Sequence, residues 1–210
     1  MKCIIENIEK EVFMEKQEFE KKPWVTYIIM GINILVYMLT AFLSKNIWNS
    51  NISVLIYLGA KVNVLISGGE YYRLITCMFL HAGLLHVSLN MYSLYIIGPL
   101  VERVYGKVKY VSIYFIAGII ASLFSYMFSN DISIGASGAI FGLLGATLIF
   151  AITIKKTVGK DFYINILQVM AVNLIIGFSI PNIDNYAHIG GILGGIAMGK
   201  IFEIKKKNSI

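Results

Sequence analysis

Hydrophobic and polar positions along this chain segregate into long blocks. Six apolar runs, at about 25–43, 84–101, 110–128, 137–154, 162–180 and 186–203, are separated by short polar connections and one long one. A helix needs about 20 mostly apolar residues to cross roughly 30 Å of hydrocarbon, so each run predicts a transmembrane helix. The second and sixth runs open in polar, histidine-containing sequence. The expected fold is all-α: a polytopic membrane protein with six transmembrane helices in one bundle over residues 25–203, an N-terminal extension at 1–24 and a basic tail at 204–210. A secretory leader carries a short apolar core of about 7–15 residues near the chain start. Residues 1–24 instead hold five Lys and six Glu, which suits a short amphipathic helix on the inner membrane surface or a disordered extension. The connection at 44–83 has apolar stretches of its own, at 52–60 and 62–66, and is expected to lie partly in the outer membrane interface.

Composition agrees with the blocks. The 210 residues are 57% hydrophobic and only 14% charged, with a net charge of +6. A soluble domain is about a quarter charged. Basic residues that bind nucleic acid cluster on a solvated face, whereas these lie in short groups between apolar runs, which argues against a nucleic-acid partner. Lys and Arg accumulate on the cytoplasmic side of short connections. With both termini in the cytoplasm, 15 of the 18 basic residues fall inside, and only Lys45, Lys61 and Arg73 fall outside. The inner charge can meet anionic lipid headgroups. Richness in Ile, Lys and Asn points to an AT-rich bacterial genome and so to the bacterial cytoplasmic membrane. The two cysteines, Cys3 and Cys77, fall on opposite sides and cannot pair.

An ionisable or polar group inside a span is costly, and so marks function by default. The chain has three histidines, His81, His86 and His188, all at span entrances. His86 and Asn90 are four residues apart and share a helix face, whereas His81 is five from His86 and does not. The fourth run opens with Gly135-Ala136-Ser137-Gly138, and the sixth with Ala187-His188-Ile189-Gly190-Gly191. The charge asymmetry directs the second, fourth and sixth runs from outside to inside. Asn90, Ser137 and His188 therefore meet at one depth in the outer leaflet, each within about two turns of a helix start. A serine, an imidazole base and polar donors are what serine hydrolysis requires. Gly138, Gly142 and Gly145 on the fourth run, and Gly191, Gly195 and Gly199 on the sixth, would let those two helices pack closely. That packing would bring Ser137 to His188.

Gly-Ala-Ser-Gly at 135–138, His-x4-His-x3-Asn at 81–90 and Ala-His-x-Gly-Gly at 187–191 lie on the fourth, second and sixth spans. Together they resemble the rhomboid intramembrane serine proteases, over about residues 25–203. The resemblance implies a rhomboid-like bundle with Ser137 as nucleophile and His188 as general base. Asn90 and His86 would then donate to the oxyanion beside the Ser137 backbone N–H, with the site facing outside. Gly135, Gly138, Phe141, His81 and Arg73 become supporting residues. Glu70-Tyr71-Tyr72-Arg73 matches the family's Glu-x-Trp-Arg with Tyr72 in place of Trp. Residues 98–103 with Gly106 match its pattern at the end of span two, and Phe141 stands where the family often has a tyrosine stacked under the histidine. The implied substrates are single-span membrane proteins with small residues at the cleaved bond, and no cofactor is implied.

Each residue also has a plainer reading. A serine at a helix start is commonly a cap, and a histidine in a span can simply bridge helices. Asp184 fits a turn or cap better than a triad, so a Ser-His dyad is expected. Asn33, Gln168 and Asn173 read as helix-to-helix hydrogen bonders. A zinc protease would need His-Glu-x-x-His. The spacing of five between His81 and His86, filled by Ala, Gly, Leu and Leu, excludes it. Two other classes compete: a non-proteolytic relative that binds membrane clients, which typically lacks the serine or histidine, and a small transporter, which would carry paired charges at mid-membrane.

Overall fold

A computed structural model describes residues 22–158, 160–179 and 183–202. Among the described residues the protein is helical, with no strand and two isolated β-bridges. Its long helices are α1 (Trp24–Ser44), α5 (Leu84–Tyr105), α6 (Lys107–Phe128), α7 (Ser137–Val158), α8 (Asp161–Ser179) and α9 (Asn185–Ile201). The short helices α2 (Ile52–Tyr57), α3 (Asn63–Ser67) and α4 (Arg73–Thr76) fold the long connection between α1 and α5. Each expected span thus corresponds to a long helix. Four of them, α1, α5, α6 and α7 (through Ile154), are long and apolar enough to cross a membrane. The apolar stretch Asp161–Ile175 of α8 is shorter, and α9 has 17 residues. In α9 the reason is composition: its glycines dilute hydropathy, and nine of its residues are buried by neighbouring helices. A helix enclosed by other helices needs no uniformly apolar surface. The extension at 1–21 with Cys3, and the tail at 204–210, lie outside the described residues.

Helix α7 is the centre of the bundle, with 72% of its apolar window buried against 28% for α1. It packs on α9, α6, α8 and α5, while α1 packs chiefly on α5 and reaches α6 where Thr26 meets Tyr110 and Asn33 meets Tyr114. Small residues set the closest contacts. A Cβ added to Gly191 or Gly195 would collide with the backbone carbonyl of Gly138 or Gly142, and one added to Gly138 would lie 2.6 Å from Ala121 Cβ. The glycine spacing in α7 and α9 therefore does what the sequence suggested.

Helix α1 starts at Pro23 without a cap of its own. The carboxylate of Glu102, near the end of α5, fills that place, accepting from Val25 N at 3.1 Å and from Thr26 N and Oγ at 2.8 Å each. Four N–H groups at every helix start lack intrahelical partners, and an anion there also opposes the positive end of the helix dipole. Two of the expected interhelical bonders bond within their own helices, and Asn33 also interacts with the Tyr114 hydroxyl of α6. Asn33 Nδ2 donates to Ile29 O and Asn173 Nδ2 to Val169 O, each one turn back at 2.8 Å.

The connection at 44–83 builds a small core of Leu55, Ala60 and Leu80, packed by Val36, Leu58 and Ile134. Trp48, Tyr57, Val64 and Tyr71 point outward from it. Backbone bonds between Lys61 and Ser133 attach it to the connection between α6 and α7.

Candidate functional site

Gly135 approaches α7 with φ at +120°, a conformation that residues with a Cβ rarely adopt. Its N–H donates to Cys77 O at 2.9 Å, and the chain then turns into α7, whose first residue is Ser137. Helix α9 begins one residue after Asp184, whose Oδ1 accepts the Ala187 N–H at 3.0 Å as its N-cap. His188 follows on the first turn and is buried. With α7 and α9 held together through their glycines, Ser137 Oγ and His188 Nε2 stand 3.0 Å apart.

For Nε2 to accept the serine proton, a neutral His188 carries its own on Nδ1. His188 Nδ1 is buried and has no hydrogen-bond partner among the described residues. Asp184 is committed to capping and, through Oδ2, to the hydroxyl of Ser125 on α6. The ring is oriented by packing instead: Phe141, one turn below Ser137, stacks on His188 at a centroid distance of 4.2 Å and an interplanar angle of 25°.

His86 lies on the first turn of α5. Its Nδ1 accepts the Ala82 N–H at 3.2 Å, which leaves Nε2 as the protonated nitrogen. A Cβ on Gly135 would lie 2.9 Å from His86 Nε2 and 3.8 Å from Ser137 Oγ. The missing side chain thus leaves a space bounded by a hydroxyl on one side and an N–H donor on the other. Asn90 is buried one turn along the same face; its Nδ2 donates to His86 O at 2.9 Å, which leaves a second N–H on that nitrogen.

His81 braces this arrangement. It is fully buried ahead of α5, donating from Nδ1 to Phe79 O at 3.2 Å and accepting Ser50 Oγ at its carbonyl at 2.8 Å. Its ring meets that of His86 edge to face at 5.1 Å. The two histidines share no helix face, since His81 precedes the helix start, and they meet through the turn at 82–83. Arg73 works farther out. It pairs with Glu70 at 2.6 Å and donates to Ile56 O at 2.7 Å and Ala60 O at 3.0 Å. The Tyr72 hydroxyl and then Arg73 hold the Glu70 carboxyl below the usual carboxylate range.

Sequence reasoning passed over Ser125, Asn63 and Lys61. Lys61 was counted as an ordinary outer lysine, yet it is fully buried. The available signal was its position as the one charge between the apolar stretches at 52–60 and 62–66. Among the described residues, no cluster of three or more His, Cys, Asp or Glu is arranged to hold a metal ion.

Residues 68–204 match the family model described as Rhomboid domain. The chain is 42% identical over 174 residues to the rhomboid protease GluP of Bacillus subtilis (strain 168), covering 83% of this chain and 34% of that protein. It is 33% identical over 211 residues to RHOMBOID-like protein 1 of Arabidopsis thaliana, covering 87% of this chain and 54% of that one. RHOMBOID-like protein 6, mitochondrial, of the same plant is 41% identical over 147 residues, covering 68% and 47%. The chain spans from about a third to about half the length of these curated relatives.

Proposed function

This chain belongs to the rhomboid family, and from that premise we propose that it is an intramembrane serine endopeptidase that cuts other membrane proteins near the outer face. The observation that carries the proposal is the 3.0 Å approach of Ser137 Oγ to His188 Nε2 on two different helices. His188 Nε2 takes the serine proton as Oγ bonds to the scissile carbonyl carbon. Negative charge gathers on the carbonyl oxygen in the space beside Gly135. There it meets His86 Nε2–H, the free Asn90 N–H and the Ser137 backbone N–H, a group that a helix start leaves without an intrahelical partner. His188 then protonates the leaving amine, and the peptide bond breaks to give an acyl ester on Ser137. Water attacks the ester with His188 again as base, and the second product leaves. The residues form a dyad, with Phe141 taking the orienting task that an aspartate performs in a triad.

In this proposal the domain at 25–203 makes six crossings with both termini in the cytoplasm of a bacterial cell. Its substrates are single-span membrane proteins whose helix unwinds locally to present a carbonyl. The test is cleavage of a single-span reporter in liposomes. Ser137→Ala should lower turnover by at least about a thousandfold, with the protein still folded. Equal cleavage by the variant and the unaltered protein would overturn the proposal.

A further inference from the structure

The segment at 129–136, between α6 and α7, ends at the nucleophile, so its position decides where Ser137 stands. Side-chain bonds from the first connection hold it. Lys61 Nζ donates to Ser129 O at 2.7 Å and Asp131 O at 3.1 Å. Asn63 Nδ2 reaches Tyr126 O at 3.1 Å, Ser129 O at 3.0 Å and Asn130 Oδ1 at 3.2 Å. The backbones of Lys61 and Ser133 exchange two bonds, at 3.0 and 3.2 Å, four residues before Ser137. Lys61 itself is held in place because Arg73 donates to the carbonyl of its neighbour Ala60 at 3.0 Å.

A lysine at 0% exposure is unusual. Burial costs an ammonium several kcal/mol before its partners repay it, so the sequence would tolerate an apolar residue here unless the bonds mattered. The acceptors are main-chain carbonyls of a single segment, and the negative charges nearest in effect are Asp184 and Asp131. The ammonium therefore fixes a path of backbone.

We infer that Lys61 is a positioning residue for the nucleophile: its buried ammonium holds the segment at 129–136 in the register that sets Gly135 N on Cys77 O and Ser137 Oγ on His188 Nε2. The inference rests on the reading of Ser137 as nucleophile. Lys61 touches neither substrate nor reacting atoms. Its loss should appear in the rate of reaction at Ser137, while KM stays where it is.

The experiment replaces Lys61 by Met, which keeps the length of the side chain and removes its donors. Active sites are counted by stoichiometric fluorophosphonate labelling of Ser137, so that kcat refers to competent molecules only. Lys61→Met should lower kcat per titrated site by about ten- to a hundredfold, the scale of an ångström of misplacement. The labelling rate should fall in parallel and KM should stay within about threefold. Wild-type kcat and labelling in the folded variant would overturn the inference and leave the reading of Ser137 intact. Undiminished cleavage by Ser137→Ala would instead remove the reading beneath it.

If Lys61→Met does not accumulate as folded protein, the decision passes to the pair Lys61→Cys with Ser133→Cys in a Cys3→Ser background. Residues that exchange both backbone bonds have Cα atoms about 5.5 Å apart, within the span of a disulfide. The reduced pair should be slow and the oxidised pair should recover kcat at unchanged KM. Equal kcat in the two redox states would overturn the inference.

Discussion

Asp184 shows how a residue's neighbours decide its chemistry. It precedes His188 by four residues, a separation at which a triad carboxylate is an obvious suspicion. Both its oxygens are spent, on the Ala187 N–H and the Ser125 hydroxyl. Replacing it should therefore act on stability. Asp184→Ala is expected to cost about 1 kcal/mol from the lost cap, seen as a lower unfolding midpoint in detergent. Turnover per titrated site should stay within about twofold; complete loss in folded protein would make Asp184 a third catalytic member. At this scale the site was partly legible. Ser137, His188, His86 and Asn90 were readable as candidates because each sits in a short local pattern, and because a charge count that needs no structure proposes one side for them. Lys61 was not readable, since that same count treats every lysine as solvated and burial is a property of the folded chain.

At the scale of elements, helix positions were legible to within a few residues, because an apolar block has to be a helix wherever water cannot satisfy its backbone. The close pairing of α7 and α9 was legible too, from glycines recurring at four-residue spacing. The short helices α2, α3 and α4 were not; Leu55 of α2 packs into a small local core whose other members come from α1, the first connection and the segment before α7. The glycines give a paired prediction. In Gly195→Ala the new Cβ would lie 2.6 Å from Gly142 C and 2.8 Å from its Cα, so two backbones must separate. It should destabilise by about 1–3 kcal/mol or more, and widening the gap between α7 and α9 should depress cleavage with it. Gly31, inside α1, has nothing within 4 Å of an added Cβ. Gly31→Ala should be neutral or stabilise by up to about 1 kcal/mol. Unfolding midpoints of the two variants, measured side by side, check both.

For the whole molecule, the asymmetry of charge carries the proposed orientation, and the six long helices supply an even number of passes if α8 and α9 cross as well. Labelling with a membrane-impermeant maleimide in intact cells tests this in a Cys3→Ser background. A cysteine at Asn130, exposed between α6 and α7, should react from outside. One at Lys107, exposed at the start of α6, should react only after the membrane is opened. The reverse pattern would invert the topology and put the candidate site on the inner side. Among the described residues four helices pass on length and hydropathy.

The bare Nδ1 of His188 bears on speed. In the proposed dyad the ring becomes a cation when it takes the serine proton, with no carboxylate hydrogen-bonded to Nδ1 among the described residues, so that Asp184 acts on it only through space and the oxygen anion born in the same step is its direct partner. On that proposal the two charges appear and vanish largely together, which leaves little standing store of a basic, ready serine. Such an enzyme would idle when no carbonyl is seated, sparing bystander helices that merely brush past in the bilayer, and its slowness would serve as its safeguard.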